Sequence, residues 1–460
     1  MPPSSKVVAI IGAGLLGSST AFHLANMLRR SKSISEVLVF DKNVPGECAT
    51  SQSAGLVVHV SNCLHKTAFV CQTIRQDLRA LGLENDFVQT GTIRVAVSEE
   101  SKRKLLLETE IARAANVSCG LLDAREAKEL VPWLRVDADA TLCHVVDDGW
   151  IDPQVLCGAY LRSAREMGVS VRYGEEYQVS DVLSESTARG RRVVGVRLAS
   201  NEVVSADAVI DATGTWGGLV SRPKQGLPMA PTRSHYWTID STSVDSFPAK
   251  HPNVILPDGG GFYTRSSAVP GTFVLGLQES AATSRTWDAR RVPVDGRTQA
   301  DMASTDAGQA QGLLLDRFEE LASFMPDIET AELRHYTAGM STYTIDGKYL
   351  VGAHSALEGL FTLTGCNGSG LSVSGGIGKF LAAHVDSMLA TESTGADGWS
   401  KRLAEARAND PRISMFDPER IDGRLHDRFS FFDSAFRTDC ARSRTKKFQY
   451  QGGDSGVDAT

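Results

Sequence analysis

The first forty residues constrain the fold more than any other stretch. Lys6 is followed by an apolar run, Val7–Ile11, of the kind a strand buried on both faces shows. Next come Gly12-x-Gly14-x-x-Gly17, a helical pattern from Ser18 to Arg29, and a second apolar run, Val37–Phe40, that ends in Asp41. This order predicts a βαβ unit that binds a dinucleotide. Gly12 makes the tight turn, Gly14 lets the backbone approach a pyrophosphate, and Gly17 lets helix and strand pack. Ala13, Leu15 and Leu16 complete the phosphate-facing turn. The helix N-terminus faces the phosphates, Asp41 is placed to accept from a ribose hydroxyl, and Lys42 is within reach of the adenosine. A glycine-rich turn in another kind of α/β protein is the alternative, and the fingerprint alone does not separate NAD from FAD.

The segment after Asp41 favours FAD. The chain runs there through "KNVPGECATSQSAGL", small and polar where a compact NAD domain would go on to another helix and strand. Ala49, Thr50, Ser51, Gln52, Ser53, Ala54, Gly55 and Leu56 suit an extended cofactor that continues past its pyrophosphate. A third apolar run, Ala208–Asp211, reads as another strand of the same parallel sheet, ending at Thr213, Gly214 and Trp216; Val179 is placed at the cofactor as well. Strand-like pieces at Val169–Tyr173 and Arg192–Leu198 and a helix over Gln154–Met167 lie between.

A second glycine-rich stretch, "GCNGSGLSVSGGIGKF", follows the strand Gly359–Gly365 and opens a helix whose first turns carry almost no large side chains. Negative charge develops on the N1/C2=O edge of a flavin that accepts a hydride, and a helix N-terminus offers free N–H donors and a partial positive charge there. Asn367, Gly368, Ser369, Gly370 and Leu371 are therefore expected at the ring, while Gly375, Gly376 and Gly378 let the helix pack closely.

The inserted segments have another character. "GTIRVAVS" (Gly91–Ser98) alternates like a half-exposed strand, and "RSHYWTID", "GGFYTR" and "GTFVLGLQ" are aromatic-rich strands between Gly and Pro turns. The expected class is α/β: a discontinuous Rossmann-like FAD-binding domain (1–90, 145–228 and 335–392) with an inserted α+β substrate domain on a mostly antiparallel sheet (91–144 and 229–334). Residues 393–460 form a C-terminal extension, in which "FSFFDSAF" docks on the body or a partner, "RSRTKK" is solvated and the last residues are disordered. At 460 residues two structural units are expected. A net charge of −7 argues against nucleic acid or an anionic membrane as a partner, and no apolar run reaches the length of a membrane span. Eight cysteines show no CxxC pair or regular spacing, so no metal site or disulfide framework is expected, and the chain reads as cytoplasmic.

The ordered motifs GAGLLG, "ATSQSAG", "DDGWIDP", "DATGTW", "GMSTYTIDG", "GCNGSGLSVSGGIGK" and "FDPER" resemble the FAD-dependent D-amino-acid oxidase superfamily, most closely the sarcosine oxidase and dimethylglycine and sarcosine dehydrogenase branch. The resemblance runs from about Val7 to Arg420. It implies an FAD enzyme that removes a hydride from the carbon next to an amine nitrogen, in an N-methyl amine or an amino acid, giving an imine that hydrolyses. Electrons would pass to oxygen or a redox partner. Members that attach FAD covalently carry a histidine where this chain has Gln52, or a cysteine at the equivalent of Gly339, so the resemblance implies non-covalent FAD, with Cys366 as the remaining attachment point. Substrate-gripping cations of relatives are also absent near Ser341 and Ser372, which leaves Arg265 as the candidate for a substrate carboxylate.

Hydride loss needs a neutral amine. His59 is the candidate proton acceptor, with His235 and His335 behind it, and Tyr263 and Tyr343 are expected to wall the substrate. The rival readings are a flavoprotein subunit of a hetero-oligomeric amine or amino-acid dehydrogenase, an NAD-dependent dehydrogenase, and a non-catalytic flavin-binding protein; assembly as a homo- or hetero-oligomer is left open.

Overall fold

A computed structural model describes residues 6–421 apart from 29–32, 60, 62, 189, 222–226, 242–246, 257–260, 278–310, 313 and 391–397. The sequence expectations for the tail from Asp427 onward lie outside the described residues. The chain opens with β1 (Lys6–Ile11), α1 (Leu15–Leu28), β2 (Ile34–Asp41), β3 (Leu56–Val57) and α2 (Leu64–Gln72). There follow β4 (Thr92–Ala96), α3 (Glu99–Ala114), β5 (Cys119–Leu122), β6 (Thr141–Val145), β7 (Gly149–Trp150), α4 (Pro153–Glu166) and β8 (Ser170–Tyr173). A meander, β9 (Val179–Thr187), β10 (Gly190–Leu198) and β11 (Val203–Ser205), leads to β12 (Ala208–Asp211). The long strands β13 (Met229–Asp240), β14 (Asn253–Leu256), β15 (Phe262–Ser266), β16 (Thr272–Leu277) and β17 (Glu332–Thr344) come next. The described chain closes with β18 (Leu350–Ala353), β19 (Leu357–Glu358), β20 (Leu360–Thr364), α5 (Gly370–Leu389), α6 (Gly398–Asn409) and α7 (Pro411–Phe416).

Two large sheets organise these elements. The first runs β18-β20-β12-β1-β2-β8, parallel except for β18. Val8–Ile11 and Val37–Phe40 are buried because both faces are covered, while Val7 at the strand's start is half-buried. One face packs Val8, Ile10, Val37 and Val39 under α1, α4 and α5. The other packs Ala9, Ile11, Leu38 and Phe40 against Val193 and Val196 of the meander. This is the layered Rossmann-like domain the sequence predicts. The meander around β10 is the part it did not: only Arg192–Leu198 stood out as strand.

The second sheet runs β17-β13-β16-β15-β14-β4-β6-β5, antiparallel except where β14 lies beside β4. Trp133, Trp237, Phe247, Phe273 and Leu275 form the core on its outer face. The reading of Gly91–Ser98 as a half-exposed strand is corrected here: all five residues of β4 are buried. Ile93 and Val95 enter the outer core, while Ala96 packs beneath α3 on the opposite face. The boundary read at 335 falls inside β17, which pairs along its length with β13. Past the boundary read at 393, Trp399, Leu403, Ile413 and Phe416 of α6 and α7 are buried in the core of the first domain.

Helix α5 ties the domain together. Its flat glycine face meets two neighbours closely: a Cβ at Gly376 would lie 2.2 Å from Phe69 Cα of α2, and Gly375 faces the Asp77 carboxylate. Asp77 is buried and accepts from Tyr160 of α4 (2.7 Å) and Gln72 at the end of α2 (2.8 Å), with His23 Nε2 of α1 3.0 Å away. Three helices thus share one satisfied buried carboxylate beside the glycine face of α5.

Candidate active site

At the carboxyl end of β1 the chain turns at Gly12, and two features there demand glycine: a φ of +105°, and an Ala212 carbonyl oxygen that would lie 2.5 Å from any Cβ. Gly14 differs: a Cβ there would meet only Thr50 Oγ1, at 3.6 Å, and would otherwise point into open space. Thr50 Oγ1 accepts from Leu15 N–H at 3.1 Å and so joins the "ATSQSAG" loop to the first turn of α1. Asp41, at the end of β2, accepts from Ala13 N–H (2.6 Å) and Asn43 N–H (2.9 Å). Burial pushes its carboxyl above the usual aspartate range, and the two N–H bonds work against that. Lys42 Nζ lies 4.0 Å above the ring centroid of Trp216. Asp211 is buried and accepts from Thr213 N–H and Oγ1–H and Gly218 N–H, which folds the loop after β12 back toward Gly12.

From this turn a continuous cavity of about 560 Å³ runs to the inner face of the second sheet. Gly12, Gly14, Leu15, Leu16, Asp41 and Lys42 line its first part, with Ala49, Thr50, Gln52, Ser53, Ala54, Leu56, Val179, Thr213, Gly214 and Trp216. Gly368, Ser369, Gly370 and Leu371 bring the start of α5 to its middle. No side chain caps that helix, so its first N–H groups remain available. Tyr263 and Tyr343 line the far part together with Tyr236, Ser234 and Arg94.

Seven sequence-predicted site residues lie outside the lining. Ala13 is buried beneath the turn, Gly17 packs on the Gly12 carbonyl, and Gly55 packs on Ile151. Ser51 faces solvent and donates to Cys48 O. Asn367 is committed to the backbone: its amide accepts from Thr344 N–H at 3.0 Å and donates to Gly365 O at 2.6 Å, which fixes the approach to α5. Arg265 shares a strand face with Tyr263, but its guanidinium lies 4.7 Å from the Trp150 ring centroid, where burial lowers its pKa.

His59 is the largest correction. It is fully buried and does not line the cavity. Its Nδ1 lies 2.8 Å from Asp148 Oδ1, which also accepts the His59 backbone N–H at 2.9 Å. Burial is the largest influence and opposes the imidazolium, yet the bond to Asp148, its charge and the contribution of Cys71 together outweigh it and raise the His59 pKa to about 9. A histidine already protonated at neutral pH is a poor proton acceptor. Nor do the other candidates reach the site. His235 is buried, with Nδ1 2.7 Å from Tyr336 OH, and His335 is exposed. Among the described residues lining the cavity there is no histidine, and its carboxylates, Asp41 and Glu47, belong to the glycine-turn end.

The second-sheet wall is one register row. Arg94 pairs with Ile255, Ile255 with Tyr263, Tyr263 with Gly276, and Gly276 with Tyr236. Directly paired residues share a face. A Cβ at Gly276 would lie 1.8 Å from the Tyr263 ring, so that ring lies flat over the sheet beside Tyr236. Sequence reading missed Arg94 and Tyr236. The cavity-facing alternation of Ser234 and Tyr236 was a signal for the tyrosine.

An open glycine turn, a cavity that continues well past it and an uncapped helix N-terminus at mid-length fit an extended flavin dinucleotide and define a flavoenzyme. Residues 8–384 match the model of the FAD dependent oxidoreductase family, to which the chain belongs, so FAD is its cofactor. It is 24% identical over 424 residues to FAD-dependent oxidoreductase domain-containing protein 1 of Xenopus laevis, covering 84% of this chain and 80% of that one. It is 25% identical over 390 residues to 4-methylaminobutanoate oxidase (formaldehyde-forming) of Paenarthrobacter nicotinovorans, covering 83% of this chain and 44% of the relative. Several other curated relatives are likewise longer, the chain spanning 40% or 41% of their length. The fold is shared with L-proline dehydrogenase from P. horikoshii, at a TM-score of 0.66 and 19% identity over 91% of this chain and 98% of that one. None of the described helices is long and apolar enough to cross a membrane.

Proposed function

We propose that the protein oxidises a secondary or tertiary N-methyl amine, or an amino acid, at the carbon next to nitrogen, and that the resulting imine hydrolyses. The observation that carries this reading is the continuous cavity from the Gly14 turn, past the N-terminus of α5, to the Tyr263–Tyr236 wall. Relatives named for methylaminobutanoate, sarcosine and glycine support the substrate class. FAD, when bound, supplies the hydride acceptor. In this assignment Gly14 and the start of α1 hold the pyrophosphate, Asp41 and Lys42 the adenosine end, and Gly368–Leu371 the ring.

The tyrosine wall excludes water from the reacting carbon and orients the amine. No general base is needed: a cation at the same wall, Arg94, opposes the ammonium form and favours a substrate that arrives neutral. Gln52 and Gly339 lie against each other, a Cβ at Gly339 meeting Gln52 Cβ at 3.0 Å, and neither is nucleophilic. FAD is therefore held without a covalent bond, and Cys366, which lines the cavity, is the residue to exclude. The cytoplasmic assignment rests on the cysteine pattern and is tested by cell fractionation.

Anaerobic mixing of the purified yellow protein with N-methyl amino acids, N-methyl amines and simple amino acids tests the reading. Bleaching of the flavin band by one of these groups supports it. A flavin that none of them reduces, but that dithionite does, refutes it.

A further inference from the structure

We infer that Cys71 is a reactive thiol, a site of modification by hydroperoxides and carbon electrophiles, with His59 as its proton donor. The inference stands apart from the amine-oxidising reading and gives the buried His59–Asp148 pair a chemical use.

Cys71 is the penultimate residue of α2 and is half-buried. Its side chain packs on the small core beneath α3 that includes Cys143 and Val145, the residues just ahead of the turn after β6. That turn supplies two consecutive carboxylates, and each holds a cation. Asp148 Oδ1 lies 2.8 Å from His59 Nδ1, and Asp147 Oδ2 accepts from Arg75 Nη2 at 3.1 Å. Cys71 is close to both cations. With Asp148 it is one of two groups that favour the His59 imidazolium through hydrogen bonding and charge. It also shares the Ala115 carbonyl with Arg75, the sulfur at 4.0 Å and Nη1 at 3.5 Å.

His59 Nε2 is the atom this arrangement leaves over. The ring is fully buried, Nδ1 is committed to Asp148, and Nε2 makes no hydrogen bond of regular geometry to any described residue. A buried imidazolium N–H needs an acceptor, and an ionised sulfur beside it is one. The thiolate is the nucleophilic form of cysteine, and cations around a partly exposed thiol favour it. Elsewhere burial wins: it pushes the thiols of Cys48 and Cys119 up, against the opposing charges of Lys42 and Arg113.

With hydrogen peroxide the Cys71 sulfur attacks one peroxide oxygen, so that the S–O bond forms as the O–O bond breaks. Sulfur gives up two electrons and becomes a sulfenic acid. The leaving hydroxide takes the Nε2 proton of His59 and becomes water, and His59 is then reprotonated from water. With iodoacetamide the S–C bond forms, iodide leaves and no proton is needed.

The test is the rate at which iodoacetamide labels each cysteine of the FAD-loaded protein at neutral pH, read peptide by peptide by mass spectrometry. Cys71 is expected to react about tenfold faster than Cys63 and Cys119, which are also half-buried. Hydrogen peroxide followed by dimedone should tag Cys71 as the sulfenic acid. His59→Gln should slow Cys71 about tenfold or more while Cys63 keeps its rate, which separates lost activation from a loosened fold. A Cys71 rate no greater than those of Cys63 and Cys119 overturns the inference, as does an unchanged rate in folded His59→Gln or dimedone found only on another cysteine. Should His59→Gln not fold, Arg75→Gln decides, since Arg75 is exposed. Its Cys71 rate should fall severalfold at low salt and less at high salt, and an unaltered rate overturns the inference.

Discussion

Replacing His59 by glutamine separates a structural histidine from a catalytic one. In the wild type His59 and Asp148 form a pair with no exposed surface, and Asp148 Oδ1 takes both the ring and the backbone N–H of His59. The rise of the His59 pKa from 6.5 to about 9 corresponds to roughly 3 kcal/mol of stabilisation at low pH. Breaking a buried pair by removing one partner costs about 3–5 kcal/mol, which agrees. The folded-state pKa is raised, so this contribution is complete below about pH 6.5 and is lost as pH rises toward 9. Denaturant unfolding of wild type and His59→Gln across pH 5.5 to 9.5 measures it. The variant should be less stable by about 3 kcal/mol at the acid end, with the gap closing toward the alkaline end. Folded variant should keep its FAD and the shape of its pH–rate profile. A stability gap independent of pH, or a variant of wild-type stability with turnover reduced a hundredfold, would refute the reasoning.

Gly14→Val should fold with a normal thermal midpoint as apoprotein and lose FAD, because its side chain enters open cavity; the ratio of visible to ultraviolet absorbance reads this. Gly376→Ala should do the reverse, lowering the midpoint by the equivalent of about 1–3 kcal/mol, since its Cβ would press on the backbone of α2. Gly276→Val should push the Tyr263 ring off the sheet and raise KM for amine substrates while FAD content stays at the wild-type level. With no histidine among the described lining residues, kcat/KM should rise with pH along one limb set by the amine, and an additional limb near pH 6.5 would show a histidine base at work.

The first domain was legible because its signals are local. The strand–GxGxxG–helix–strand–acid order sits within forty consecutive residues, and each part has one geometric purpose; β12 was found because an apolar run ending in an acid and a glycine repeats that logic. The start of α5 was legible for the same reason, as a helix without large side chains at its opening. The errors are non-local. His59 looked catalytic because it follows a loop that lines the cavity, and its neighbour Val58 does line it; nothing near it in sequence announces Asp148, eighty-nine positions away. Asn367 looked like a ring contact until β17 supplied the backbone amide that its side chain accepts from.

Arg94 shows the limit most clearly. Alternation in "GTIRVAVS" separates Ile93 and Val95 from Arg94, which on a two-layer sheet means core against solvent. Here the second side of β4 is occupied by α3 and by the cavity, so the residue that alternation assigns to water is enclosed with Glu108. Periodicity reports which residues share a face and is silent on what covers that face. A charged residue on such a face, held by a buried partner and opening on a ligand cavity, is where a single sequence carries least information and a three-dimensional arrangement most.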